Sequence, residues 1–140
     1  MKHFLFAIVA LMPAMLMLAG LALSVLPVLP VKRLWQVFMG LSALAVVCAV
    51  ITACAGPQFP EFHPWLVTTP IGNALALLVQ LLCSVIAAFS ARYLDGEPGQ
   101  RRFIGALAGV LGAVHVLLMA DHWLVLITAW ALVGMVLQRL

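Results

Sequence analysis

His115 is the residue of this sequence whose type and position best suit chemistry inside an apolar region. It is the one ionisable side chain well inside a predicted membrane span, and the Asp121-His122 corner follows downstream. An intramembrane histidine can relay protons, because its imidazole changes charge near neutral pH. The alternative role is that of a neutral imidazole hydrogen-bonded to a neighbouring helix. Since no acidic residue lies in the same apolar run, we expect a packing role for His115.

A row of polar residues on the third predicted helix forms a second candidate site. Asn73, Gln80 and Ser84 stand at positions i, i+7 and i+11, so they share one face of a helix. Such a face either hydrogen-bonds to a neighbouring helix or lines a hydrated cavity. We favour interhelical hydrogen bonds. Asn73 and Gln80 therefore join His115 as candidates for a proton path or for polar packing.

Asp121 and His122 are adjacent, at a corner between two apolar runs near the membrane interface. We expect Asp121 to be the N-cap of the last helix, where its carboxylate would accept hydrogen bonds from the first free N–H groups. Capping and contact with water explain this pair without catalysis. Both residues stay candidates for the same proton path or polar packing.

Motifs of catalysis and of metal binding are absent from the sequence. It contains no P-loop, nucleophile elbow or HExxH motif and no paired carboxylates inside a span. Cys48, Cys54 and Cys83 lie in apolar runs without CxxC or Cys/His spacing, which indicates packing residues. We expect this chain to be no enzyme by itself and to hold no cofactor and no metal.

The composition is that of a membrane protein. Of the 140 residues 66% are hydrophobic and 8% are charged, whereas soluble domains are about half apolar and about a quarter charged. The mean hydropathy is +1.24. A chain this short cannot bury so much apolar surface, so most of it must face lipid. Its cations stand singly or in pairs and form no basic stripe, which argues against nucleic acid as a partner.

Polar and proline-rich breaks divide the chain into five apolar segments, which must position the residues above. Each segment is near the length of about 20 residues that a helix needs to cross a bilayer. The predicted fold class is all-α, a single polytopic transmembrane helical bundle over residues 1–140. Its helices, about five, are predicted over residues 4–26, 34–56, 70–92, 103–120 and 123–140.

The distribution of cations predicts the orientation. Six of the seven Lys and Arg residues fall on the side of the loop 95–100, and Lys2 alone falls on the other. The positive-inside rule then puts residues 95–100 and the C-terminus in the cytoplasm, and residues 59–68 and the N-terminus outside. The first apolar run is too long for the core of a signal peptide, so we expect a retained helix. The predicted location is the cell inner (plasma) membrane.

Small residues indicate where helices approach closely. Ser42, Ala45, Ala49 and Ala53 recur at helical spacing in the second helix, and residues 105–112 of the fourth contain a GxxxG pattern. Such faces allow two backbones to come together in a membrane. We expect both helices to pack closely against neighbours.

Two groups of segments in the second half of the chain carry a resemblance to a known family. They are the segment Phe89-Ser90-Ala91-Arg92-Tyr93-Leu94 with the charged run 95–103, and the segments Ala120-Asp121-His122-Trp123-Leu124 and Trp130-Ala131-Leu132-Val133-Gly134. With them, residues 71–140 resemble the N-terminal part of the antiporter-like, proton-conducting membrane subunits. That family includes the large subunits of respiratory complex I and of Mrp antiporters.

Within that family the chain looks most like DabB, the membrane partner in the DAB inorganic-carbon uptake complex. Ala131 stands where complex I type members carry a glutamate that is central to their proton path, and members of the DabB type vary in this region. The family also has later helices bearing lysines, before which this chain stops. The resemblance therefore implies a subunit that does not translocate protons by itself.

What the resemblance implies is a scaffolding role in a complex that accumulates bicarbonate or CO2 at the expense of an ion gradient. Other membrane subunits would supply the missing helices, and a soluble, DabA-like partner would hold the zinc and its chemistry. The alternative is an accessory subunit of a complex I type or Mrp cation/proton antiport complex. A third reading, a small independent transporter, is disfavoured by the missing buried charges.

Overall fold

The computed structural model of the chain describes residues 2–55 and 65–138. The described residues form a bundle of α-helices and contain no β-strand, so the predicted all-α fold class is confirmed. The helices are α1 (Lys2–Val25), α2 (Val31–Cys54), α3 (Pro70–Tyr93), α4 (Gln100–Met119) and α5 (Trp123–Leu137).

Four of these helices, α1 to α4, are long and apolar enough to cross a membrane. The described part of α5 has 15 residues, which span roughly 22 Å at about 1.5 Å per residue. That length is short of the hydrocarbon core, which is about 30 Å thick. The last residues of the predicted fifth span, 139–140, lie outside the described residues. The chain is thus a multi-pass helical membrane protein, with four candidate spans and one shorter apolar helix among its described residues.

Two helices begin three residues earlier than the sequence predicted. α2 begins after Pro30, whose extended backbone ends the preceding turn, and α4 begins after Gly99, whose φ of 94° lies in the left-handed region that glycine adopts freely. The prediction ended each segment at its charged residues. Charge keeps a side chain out of hydrocarbon but does not prevent helix formation, so both first turns include basic residues.

α4 is the central helix of the bundle. It contacts α1, α2, α3 and α5, whereas α5 is in close backbone contact with α4 alone among the described helices. The apolar core lies where α1, α2 and α4 meet, around the fully buried side chains Met17, Phe38 and Leu111. Different faces of α4 therefore reach different helices, which makes α4 the natural position for a shared site.

Glycines on α4 allow α1 and α5 to approach, as the small-residue pattern predicted. A Cβ on Gly109 would lie 3.3 Å from Val136 of α5 and 3.6 Å from Leu21 of α1. A Cβ on Gly112 would lie 3.3 Å from Leu18. These distances leave almost no room for a side chain, so the glycines set the separation of the helices.

One end of the bundle, where α2 and α4 begin with Lys32, Arg33, Arg101 and Arg102, is its basic end. There Arg101 joins the start of α4 to the end of α1. Its guanidinium donates hydrogen bonds to the carbonyl oxygens of Leu26 at 2.9 Å and Ser24 at 3.4 Å, and also to that of Leu29. These carbonyls lie at or beyond the last turn of α1, where helical partners are missing. The side chain thus caps α1 from a neighbouring helix.

At the opposite end the segment before α3 pairs with the corner between α4 and α5. Leu66 and Ala120 form an isolated antiparallel bridge. The Val67 N–H donates to the Met119 carbonyl at 2.9 Å, and the Asp121 N–H donates to the Trp65 carbonyl at 3.0 Å. This pairing fixes the backbone of the corner.

Candidate functional site

A network of buried polar side chains joins three helices in the interior of the bundle. His115 Nε2 of α4 lies 2.8 Å from Gln80 Oε1 of α3. Gln80 Nε2 donates to Ser42 Oγ of α2 at 2.9 Å. The two hydroxyl oxygens of Ser42 and Ser84 are 2.7 Å apart, and Ser84 Oγ donates to the Gln80 carbonyl at 2.7 Å. The network therefore connects α2, α3 and α4.

The donors and acceptors of this network follow one consistent direction. An amide oxygen only accepts, so in this arrangement His115 carries its proton on Nε2 and donates to Gln80. The Ser84 proton is used on the backbone carbonyl, so the Ser42 hydroxyl donates to Ser84. The chain of hydrogen bonds thus starts at His115 and ends on a carbonyl of α3, where no further proton can be passed on.

Burial makes this network matter for the fold. Gln80 is 0% exposed, Ser42 1% and His115 3%. A buried polar group without a hydrogen-bond partner costs about 1 to 3 kcal/mol. Each of these three side chains has a hydrogen-bond partner, so this cost is avoided. Satisfied polar contacts of this kind fix how helices are rotated against each other in a membrane.

His115 keeps one ring nitrogen outside the network. Its Nδ1 makes no hydrogen bond with the described residues, and in this tautomer Nδ1 is an acceptor. No acidic or lysine side chain is among the partners of the network. A proton relay through His115 would therefore need a proton donor from outside this network.

Ser42 is the member of the network whose hydrogen bonding the sequence did not predict. It was assigned to the small-residue face of α2, together with Ala45 and Ala49, which are also buried. The small face lets α3 come close, and the hydroxyl then meets Gln80. The signal in the sequence was a hydroxyl at the start of an otherwise alanine-rich face.

Asn73 belongs to a separate contact. Its Nδ2 donates to the backbone carbonyl of Thr52 at 3.4 Å, and the Thr52 hydroxyl donates to the Ala49 carbonyl at 2.9 Å. The predicted row on α3 therefore divides: Gln80 and Ser84 join His115, whereas Asn73 joins α3 to the last turn of α2.

The prediction of Asp121 as the N-cap of the last helix is wrong. His122 holds that position, and its Nδ1 accepts a hydrogen bond from the Leu124 N–H at 3.2 Å. The cap lies one residue later because the backbone of Asp121 pairs with Trp65. The rings of His122 and Trp65 are 5.7 Å apart. Neither Asp121 nor His122 joins the network around His115.

No three His, Cys, Asp or Glu side chains gather into a metal site within residues 2–55 and 65–138. Cys48, Cys54 and Cys83 are free thiols. The arrangement around His115 can hold helices together, and it offers no activated nucleophile and no acid–base pair among the described residues.

No family model matches the chain, and no solved structure matches it significantly. The chain is similar to the "Probable inorganic carbon transporter subunit DabB1" of Halothiobacillus neapolitanus (strain ATCC 23641 / c2), with 25% identity over 139 residues. The similarity covers 93% of this chain and 25% of the relative, so the chain spans about a quarter of that protein's length. It extends beyond residues 71–140, to which the resemblance in sequence was assigned. The chain is thus a multi-pass membrane protein that is similar to DabB1 over most of its length.

Proposed function

We propose that this chain is a non-catalytic membrane subunit of an ion-gradient-coupled uptake complex for inorganic carbon, bicarbonate or CO2. Its role is scaffolding or contributing helices to the proton-channel subunit. The observation that carries the proposal is the similarity to DabB1 over 93% of the chain. The all-helical bundle with four candidate spans agrees with a membrane subunit.

The geometry of the interior supports a scaffold more than an autonomous channel. The buried network of Ser42, Gln80, Ser84 and His115 contains no carboxylate and no lysine, and it ends on a backbone carbonyl. Ala131 is exposed on α5, so a methyl group stands where complex I type members carry their glutamate. Proton conduction would need ionisable groups from other helices.

The outer faces suit a subunit surrounded by lipid or by other helices. Exposed large apolar side chains follow α3, among them Leu78, Val85 and Phe89. The proposed partners are further membrane subunits, the lipid bilayer and a soluble, zinc-containing DabA-like subunit. The proposed location is the cell inner membrane, with residues 95–100 in the cytoplasm.

The second candidate is an accessory subunit of a complex I type or Mrp cation/proton antiport complex. It is favoured by the resemblance of segments 89–103 and 120–134, which the wider antiporter-like family shares. In that case no carbon substrate would be involved.

Growth of a deletion strain distinguishes the two. In the source organism, loss of this chain should prevent growth in air and permit growth at elevated CO2, and the gene supplied in trans should restore growth in air. Equal growth under both conditions, with a defect confined to respiration or to sodium tolerance, would replace the proposal by the second candidate.

A further inference from the structure

A long groove runs between α1 and α5 on the side of α4 that lies away from the polar network. Both helices pack on α4 without close backbone contact with each other. The groove consists of two adjoining cavities of about 390 and 330 Å³, which share Leu21 and Val136 as walls. Gly109 and Gly112 lie along its floor.

The two ends of the groove differ in chemistry. The larger cavity is lined almost entirely by apolar side chains and reaches Trp65 and His122. The smaller cavity ends at Arg101 and Arg102, beside Ser24. The groove thus has an apolar body and a cationic mouth at the basic end of the bundle.

Arg102 is the cation of this mouth that is available to a ligand. Arg101 is engaged with three carbonyl oxygens at the end of α1. Arg102 is exposed and makes no hydrogen bond or ion pair with the described residues. A guanidinium with all its donors unused at the mouth of an apolar groove is complementary to an anion attached to an apolar chain.

We infer that this groove binds one anionic phospholipid, with its headgroup phosphate on Arg102 and an acyl chain between α1 and α5, beside Leu132. Basic pockets between membrane helices are known to bind acidic headgroups. Each cavity has the size of a small-molecule site, between about 300 and 1,000 Å³.

The test measures lipid binding to the purified chain, together with any subunits that remain attached, by native mass spectrometry in mild detergent. The probes are phosphatidylglycerol, phosphatidylcholine with the same acyl chains, and inorganic phosphate. We expect one saturable phosphatidylglycerol per chain, weaker binding of phosphatidylcholine and no saturable binding of inorganic phosphate. Equal affinity for the two lipids, or saturable binding of phosphate alone, would overturn the proposal.

Two pairs of variants locate the site. Arg102→Gln should weaken phosphatidylglycerol binding about five-fold, the usual effect of one cation near a membrane surface. The control is Arg33→Gln, at an exposed arginine of the same end that lies outside the groove, and it should leave binding unchanged.

Leu132→Trp should fill the groove and abolish binding. The control is Leu126→Trp, similarly exposed on α5 but outside the groove, and it should leave binding unchanged. Equal losses within either pair would contradict the site. If Leu132→Trp fails to fold, the arginine pair decides, since the Arg102 side chain has no hydrogen bond or ion pair with the described residues to lose.

Discussion

The two sides of α4 are held to their neighbours by different forces. Towards α2 and α3, α4 is joined by directional hydrogen bonds through His115 and Gln80. Towards α1 and α5 it is joined within the span by glycines and apolar contacts, with a groove left between those two helices. Hydrogen bonds to α1 come from Arg101, at the end of the bundle. In lipid there is no hydrophobic driving force between helices, so their association depends on hydrogen bonds and on close packing. The comparison predicts one side with a fixed arrangement and one side open to ligands.

The largest effect should come from Gln80→Leu, which breaks the hydrogen-bonded side. The change leaves the Ser42 hydroxyl and the His115 imidazole buried without their shared partner. We expect the free energy of unfolding to fall by about 1 to 3 kcal/mol, measured by denaturant titration in detergent micelles. Asn73→Leu is the matched control, because it removes only one long hydrogen bond, and about 0.6 kcal/mol is expected. Equal losses would show that the network has no special weight.

Gly109→Val tests the close-packed side. The Cβ of the new side chain would lie 3.3 Å from Val136, closer than ordinary contact, and 3.6 Å from Leu21, and overpacking costs about 1 to 3 kcal/mol. We place this effect second because α5 is attached to α4 alone and can shift outward. Gly40→Val is the control, since nothing lies within 4 Å of its Cβ position. The same unfolding titration applies, and a stability equal to that of the control would contradict the packing.

His115→Gln should have a smaller effect, because an amide can still donate a hydrogen bond to Gln80. We expect a loss of about 0.6 kcal/mol, with assembly and most of the uptake of radiolabelled bicarbonate retained in cells. Abolished uptake with the complex still assembled would instead make His115 a proton relay served by a partner chain.

The smallest effect on stability is expected from cysteines that report topology. Cys48, Cys54 and Cys83 are first replaced by alanine. Glu97→Cys and Asp121→Cys then place single thiols at exposed positions at opposite ends of the bundle. A membrane-impermeant thiol reagent added to intact cells should label position 121 and spare position 97. The reverse pattern would invert the orientation that the cations predict.

Sequence patterns predicted where the helices lie along the chain better than they predicted which side chains of different helices contact each other. Apolar runs and prolines indicated five helices, because hydrogen bonding and membrane length act locally. The pairing of Gln80 with Ser42 and His115 depends on how three helices are rotated against each other, which periodicity within one helix does not specify. Asp121 was misassigned for a similar reason: its backbone is committed to Trp65, distant in sequence. The groove exists because α1 and α5 are not in close backbone contact, and no local sequence pattern specifies that separation.

The most direct test of the proposed function is to purify the chain, with an affinity tag, from its native membrane and to identify the proteins that accompany it. We expect further membrane subunits and a large zinc protein of the carbonic anhydrase type. Recovery of quinone reductase or Mrp antiporter subunits in place of such a zinc protein would contradict the carbon-uptake function.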